Sequence, residues 1–225
     1  MANYGRFNKN ITCIRGDIMG IVIAIGVEHK EMRSTIQWFE SHKKQVYEIA
    51  FNEILEKKTI DGMMKKIYAE NIVIDYLIIQ AEEHVQNDKS VGTGHDYQSM
   101  LELLNRNILG FRRILDSLTP YMKENGEKRI ALLTHKKYSI SYTEDTDDFS
   151  GHMLGAAIHM LFKNYFNFLK EEVFTFRSID MECEDGMKAG EYILSDFANV
   201  PKAPESHSDE KRMIMRNGFF QEIPW

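Results

Sequence analysis

The sequence predicts an α/β protein: a mostly parallel sheet held between two layers of helices, three layers in one domain over residues 1–225. Three observations predict it. Short β-branched or apolar runs alternate with longer amphipathic stretches along the chain, as expected when strands and crossover helices follow one another. The run IVIDYLII is almost wholly apolar, as a strand covered on both faces must be. A chain of 225 residues with 43% hydrophobic and 28% charged content is long enough to bury a full core.

Taken in order, ITCI reads as the first strand and RGDIMG as the turn after it. IVIAIGVEHK reads as an apolar-periodic helix. STIQWF is a candidate second strand and VYEIAF a third. EILEKKTIDGMMKKIYAE reads as a helix with charges on its outer face, and IVIDYLII as a strand at the sheet centre. The polar loop NDKSVGTGHD leads to a long helical pattern from Tyr97 to Met122, and ENGEKRIALLTH turns into another strand. The acidic loop TEDTDDFS precedes the helix GHMLGAAIHMLFKNYFNFLKEE; Asp147, Asp148 and Ser150 suit a helix start, where amides are unpaired and the dipole favours negative charge. VFTFRSI is a further strand. The segment from Val200 to Lys211, with Pro201 and Pro204, reads as a surface loop before a last short strand near Arg216 to Phe220.

A net charge of −6, with scattered basic residues, gives no electrostatic footprint for nucleic acid or an anionic membrane. Cys13 and Cys183, without CxxC spacing, read as reduced thiols. MANYGRFNKN lacks an apolar signal region, and Arg15 and Asp17 interrupt the stretch Ile11 to Val27, so a soluble cytoplasmic protein is expected. Most of the thirteen methionines, Met63 and Met160 among them, read as core filling.

Several segments resemble the short-chain dehydrogenase/reductase family, in particular its small carbonyl-reductase branch, and the resemblance spans nearly the whole chain. Gly16 and Gly20 with Ile21, in RGDIMGIV, are similar to the TGxxxGIG turn that meets a dinucleotide pyrophosphate. Asp75, Leu77, Ile78 and Ala81 in DYLIIQAE resemble DVLINNAG. Asn107 and Gly110 in NILG resemble NVxG, and Pro120 falls where the family ends that helix. RIALLTHKKYSIS resembles the serine-bearing fifth strand, GHMLGAAIHM resembles YxxSKAALNM, and NGFFQEIPW resembles the branch's C-terminus. The resemblance implies a Rossmann-type doubly wound sheet and a nicotinamide dinucleotide, NAD(P), as cofactor, with Arg15, Gly16, Gly20, Ile21 and Ala81 around it.

It also implies a catalytic tyrosine, a lysine four residues later that lowers its pKa and holds the ribose, a serine that positions the carbonyl, and an asparagine that anchors a proton relay. Here Gly151 stands at the tyrosine and Gly155 at the lysine; shifted by one residue, the positions become His152 and Ala156. The lysine is missing either way. His135, beside Thr134, takes the serine position, and of the four only Asn107 remains. At the cofactor, Arg15 replaces the family threonine, Val22 takes the third glycine position, and NNAG becomes Ile79, Gln80, Ala81 and Glu82. Glu82 repels phosphate unless Arg15 pairs with it; an Arg15–Glu82 ion pair sealing an unused cleft is the plainer alternative.

Residue types alone gather His135, Tyr138, Ser139, Ser141 and His152 near the C-terminal edge of the sheet, where open α/β folds bind ligands. A histidine there is a candidate base and Tyr138 or Tyr142 a displaced acid, against the plainer reading of satisfied polar residues. His152 and His159 are two turns apart, too far to share one metal ion unaided, and no HExxH or cysteine pair supports a metal site. The loop Glu144 to Asp148 reads as a solvated helix cap rather than a cation site. No Walker loop and no GxSxG elbow is present. His159, Met160, Phe162, Tyr165, Phe166 and Phe168 give the second long helix more apolar surface than one packed face needs, which suits a homodimer, a homotetramer or a complex with an active family member. A helix sandwiched between sheet and loops is the alternative.

Two functions remain in view. The first is a non-redox pseudoenzyme, a binding or assembly subunit using the old cleft. The second is an enzyme: either an NAD(P)-dependent carbonyl reductase with a displaced acid, or a cofactor-free catalyst using His135 and Asn107.

Overall fold

A computed structural model describes residues 21–50, 53–54, 56–81, 97–124, 127–144, 147–181, 190–191, 193, 213–217 and 221–224. Its strands are β1 (Ile21–Ile25), β2 (Gln45–Ile49), β3 (Tyr76–Gln80), β4 (Arg129–Thr134), β5 (Thr175–Asp180), β6 (Met215–Arg216) and β7 (Glu222–Ile223). The helices are α1 (Lys30–Ser41), α2 (Lys57–Ala69), α3 (Tyr97–Leu104), α4 (Phe111–Glu124) and α5 (Phe149–Leu169). A π-turn, Asn105–Gly110, joins α3 to α4, and a 3₁₀ turn, Lys136–Tyr138, follows β4. The expected α/β architecture is the one observed. The sheet order is β2-β1-β3-β4-β5-β6-β7, with every pairing parallel except β6 with β7.

Two elements differ from the sequence reading. Ile21–Ile25 is a strand, not a helix: Ile23 and Ile25 face one core cluster, while Val22 and Ala24 face the other. A run apolar at every position has no helical period, and burial on both sheet faces explains it. STIQWF lies inside α1, where Met32, Ile36 and Phe39 form one buried face at helical spacing. Each such side chain contributes about 1.5–3 kcal/mol on burial, which outweighs the strand preference of Thr35 and Ile36. VYEIAF is accordingly the second strand. The middle strand of the seven is β4; the IVIDYLII strand, β3, lies next to it and is buried at all five positions.

The larger core cluster lies on one sheet face under α2, α4 and α5, and the smaller lies on the other under α1. Asp75 ties the N-terminal edge together, accepting hydrogen bonds from Ile21 N at 3.0 Å and Glu127 N at 3.1 Å. Burial pushes its carboxyl above the ordinary value, partly offset by these two bonds. The long helical pattern is observed as α3, π-turn and α4. Pro120 sits inside α4, which runs on to Glu124 instead of ending there. No helix among the described residues is long and apolar enough to cross a membrane.

Candidate active-site crevice

The C-terminal edge of a doubly wound sheet is where its ligands bind, at the point where the strand order reverses. Here that point lies between β1 and β3. The chain leaves β1 at Gly26, whose φ of 90° is the left-handed region that glycine adopts without strain. Its amide donates to Ile49 O at 3.2 Å, and α1 begins four residues later. Across the crevice, β3 ends at Gln80 and Ala81, both buried, and the Gln80 side-chain oxygen has no hydrogen-bond partner.

This geometry corrects the expected glycine turn. Ile21 begins β1 at the opposite edge of the sheet, bonded to Asp75, and the turn at the switch point is Gly26–His29. Arg15, Gly16, Gly20 and Glu82 lie outside the described residues. Ala81 does lie at the crevice. Asn107 sits in the π-turn, fully buried, and its Nδ2 donates to Leu103 O at 2.9 Å within its own helix. Single π-turns inside α-helices frequently occur at functional sites.

The second wall is built by the end of β4 and the start of α5. Thr134 Oγ1 and His159 Nε2 are 3.0 Å apart, both buried. Burial lowers the His159 pKa to about 4, so the ring is neutral near pH 7. The 3₁₀ turn is anchored from three sides: Lys136 N donates to Asp180 Oδ1 at 3.0 Å, Ser139 N to Lys136 O at 2.9 Å, and Ser139 Oγ to Pro224 O at 2.5 Å. Tyr138 is buried, its ring centre 6.2 Å from those of both His135 and His152. These three predicted residues do come together. Ser139 faces Pro224, and Ser141 is exposed.

Two glycines of α5 define the space between them. A Cβ on Gly155 would stand 2.3 Å from Tyr138 Cβ and 2.4 Å from its Cγ. A Cβ on Gly151 would stand 2.3 Å from Asp148 Oδ1. Tyr138 and the Asp148 carboxylate therefore occupy the volumes that side chains at positions 155 and 151 would need. Asp148 precedes α5 with a left-handed backbone, φ 56°, and makes no side-chain capping hydrogen bond, against the helix-start role expected of it; its Oδ2 lies 3.1 Å from Lys137 Nζ, which also stands 4.8 Å over the Tyr138 ring. Beside this set opens a cavity of about 310 Å³ lined by Lys136, Lys137, Tyr142, Thr143, Asp148 and His152. Sequence reasoning missed Lys137 and Asp148 as partners, because only the turn geometry joins them. It also missed Gly26, for which a glycine directly after a β-branched run was the available signal. Among the described residues no group of three His, Cys, Asp or Glu is placed to hold a metal ion.

A parallel sheet wound in both directions, with its crevice at the strand-order reversal, places the chain in the class of Rossmann-type α/β folds. Comparison with solved structures narrows the class. The chain superposes on a carbonyl reductase from Pseudomonas aeruginosa PAO1 with a TM-score of 0.73 at 12% identity, covering 92% of this chain and 100% of that one. A protein described as a short-chain dehydrogenase/reductase from Burkholderia multivorans, with bound NADP, gives 0.71 at 10% identity over 92% and 99%. A 3-ketoacyl-(acyl-carrier-protein) reductase from Brucella melitensis, complexed with NADH, gives 0.62 at 11% identity over 72% and 74%. No protein-family model and no curated protein matches the chain in sequence. The chain has the fold of the short-chain dehydrogenases and carbonyl reductases.

Proposed function

We propose that the chain is a non-redox member of this fold that binds a small ligand other than a dinucleotide at the sheet edge and serves as a binding or assembly subunit. The observation that carries the proposal is the contact between Tyr138 and Gly155, which leaves no room for a lysine at the position where the resemblance calls for one. Without the tyrosine and lysine, reduction loses two positioned acid–base groups, each worth about a hundred- to ten-thousand-fold in rate.

A dinucleotide does not fit the turn after β1. Of the glycines that let a backbone approach a pyrophosphate, only the first is present, as Gly26; Lys30 and Met32 stand four and six residues on. Glu28 and Glu31 add negative charge where phosphates would lie. The expected result is that NADPH, NADH, NADP⁺ and NAD⁺ at about 1 mM leave the melting temperature unchanged, since a ligand of the folded state must raise it by mass action. Micromolar binding of any of them, with turnover of a carbonyl substrate, would refute the proposal and favour Tyr138 as a displaced acid.

Self-association is part of the proposal. Tyr97 and Leu101 on α3 are 71% and 61% exposed, and Met160 and Phe168 on α5 are 57% and 70% exposed. Large apolar side chains gathered on neighbouring helices suit a protein interface. Sedimentation equilibrium should show a dimer or tetramer that Phe168→Glu with Leu101→Glu converts to a monomer; a monomeric wild-type chain refutes this part.

A further inference from the structure

Strand β2 forms one edge of the sheet, with no strand outside it among the described residues. The N–H and C=O groups of successive residues in a strand point alternately to its two sides. Gly26 N donates to Ile49 O at 3.2 Å, so the odd-numbered residues of β2 face β1 and the even-numbered ones face outward. At both ends the outward amides are used within the chain: Lys44 N donates to Phe39 O at 3.0 Å, and Ala50 N to Glu53 Oε2 at 2.8 Å. Between them, Val46 and Glu48 each turn an N–H and a C=O outward, and these groups have no partner among the described residues.

An open row of main-chain groups is a template for one more strand, and the closed ends of this row fix the register. In an antiparallel pair centred on Tyr47, Val46 opposes Glu48 of the added strand and the two exchange both hydrogen bonds. If the added strand is also β2, the two-fold axis repeats the exchange and every open group is satisfied. A slip of two residues either way would need an amide that Phe39 or Glu53 already holds. Charge favours the same arrangement. Lys43, exposed at the entrance of the strand, has no ion-pair partner among the described residues, and Glu48 and Glu53 stand at its exit. Antiparallel pairing sets the basic start of one strand beside the acidic end of the other, whereas parallel pairing sets like beside like. Tyr47 meets its own counterpart, an aromatic pair of the kind that stabilises adjoining strands.

We propose that β2 is a self-pairing edge: a second copy of this chain adds its own β2, antiparallel about a two-fold axis at Tyr47, so that two sheets join into one. This surface is separate from the exposed side chains of α3 and α5. A short ladder with one aromatic pair is a weak contact, filled at about 1 mM chain and empty at micromolar concentration. Association through the helices is therefore read at low concentration and pairing through β2 at high concentration.

The test mixes unlabelled full chain with chain labelled in heavy nitrogen, at about 1 mM in total, and treats the mixture with a carbodiimide, which condenses a carboxylate with an amine. Mass spectrometry should find mixed-isotope peptides joining Lys43 or Lys44 to Glu48 or Glu53. Within one chain Lys44 and Glu48 lie about 13 Å apart along the strand, beyond a direct amide link, and the mixed label identifies the second copy in every case. The chain carrying Leu101→Glu and Phe168→Glu should give the same links, so this pairing and the self-association through the helices succeed or fail separately. Val46→Pro removes one outward N–H and leaves the bonds to β1 in place; it should keep the circular dichroism spectrum and reduce the mixed links at least about tenfold. The surface variant Glu48→Lys, which does not threaten folding, should weaken pairing about tenfold in sedimentation equilibrium at high concentration, and adding Lys43→Glu should restore most of it. A chain that gives no mixed links, as when this edge serves a different protein, overturns the proposal; so do links unchanged in Val46→Pro, or a Glu48→Lys chain that pairs as well as the wild type.

Discussion

Replacing Gly155 with alanine places a methyl carbon 2.3 Å from Tyr138 Cβ. Carbon atoms in contact sit about 3.5–4.0 Å apart, so the two must separate by roughly 1 Å or more. Neither side yields easily. Gly155 is inside α5, and the obstructing atom is the stem of Tyr138, on a turn bonded to Asp180 and Pro224 through its neighbours. Overpacking of this kind costs about 1–3 kcal/mol, against about 1 kcal/mol gained when alanine replaces glycine in a helix. The expected net loss is up to about 2 kcal/mol, a fall of up to about 8 °C in melting temperature for a chain of this size. Chemical denaturation checks the magnitude, and a double-mutant cycle checks the cause. In a Tyr138→Gly background, which removes the Cβ that position 155 would meet, the same substitution should stabilise by about 1 kcal/mol, because only helix propensity remains. A higher melting temperature for Gly155→Ala in the wild-type background would refute the packing described here. Gly151→Ala supplies the contrast: it meets the mobile end of Asp148, can displace it at the cost of a half-exposed ion pair worth about 0.2–1 kcal/mol, and should change stability by less than about 1 kcal/mol.

Gly26→Ala forces a Cβ into the left-handed region at φ 90° and should cost about 1–2 kcal/mol in urea unfolding; an unchanged midpoint would mean that the turn after β1 differs. His159 has a folded pKa near 4 against about 6.5 unfolded, so the unfolded chain binds the proton first as pH falls. Its contribution is fully present above about pH 6.5 and is lost toward pH 4, about 3 kcal/mol in all. Unfolding curves between those values should flatten in His159→Gln; an identical pH dependence in the variant would refute the assignment.

The strands β3 and β4 and the helix α5 are legible in the sequence because their patterns are extreme, runs of apolar residues buried on both faces and a long apolar helix, whereas β5 is legible despite burying Thr175, Arg177, Ser178 and Asp180. IVIAIGVEHK is not, because five apolar residues in a row carry no period, and only pairing with β2 and β3 identifies Ile21–Ile25 as a strand. STIQWF misleads in the opposite direction, its β-branched residues masking the Met32, Ile36, Phe39 face. Placing the glycine turn at Gly16 and Gly20 follows from the first error, since a cofactor turn is located by the strand before it. At the crevice, His135, Tyr138 and His152 are legible from their places at the end of β4 and the start of α5. The Lys137–Asp148 pair is not, because it depends on a left-handed residue at Asp148 that no local pattern announces.

The contacts around α5 are coupled, and this limits which chemistry the crevice can host. A lysine at position 155 requires Tyr138 to leave; a side chain at position 151 requires the Asp148 carboxylate to leave, and Lys137 would then lose its partner. A side chain at either position therefore displaces part of the existing set, and side chains at both displace most of it. The alternative set is itself satisfied: Tyr138 lies against glycine on one side and under Lys137 on another, and Asp148 holds Lys137 at 3.1 Å beside an open cavity. Charged groups placed at a sheet's C-terminal edge, next to a cavity large enough for a small molecule, suit recognition more than proton transfer. On the proposed function, the ligands to test first are those that would meet Lys137, Asp148 and His152 together.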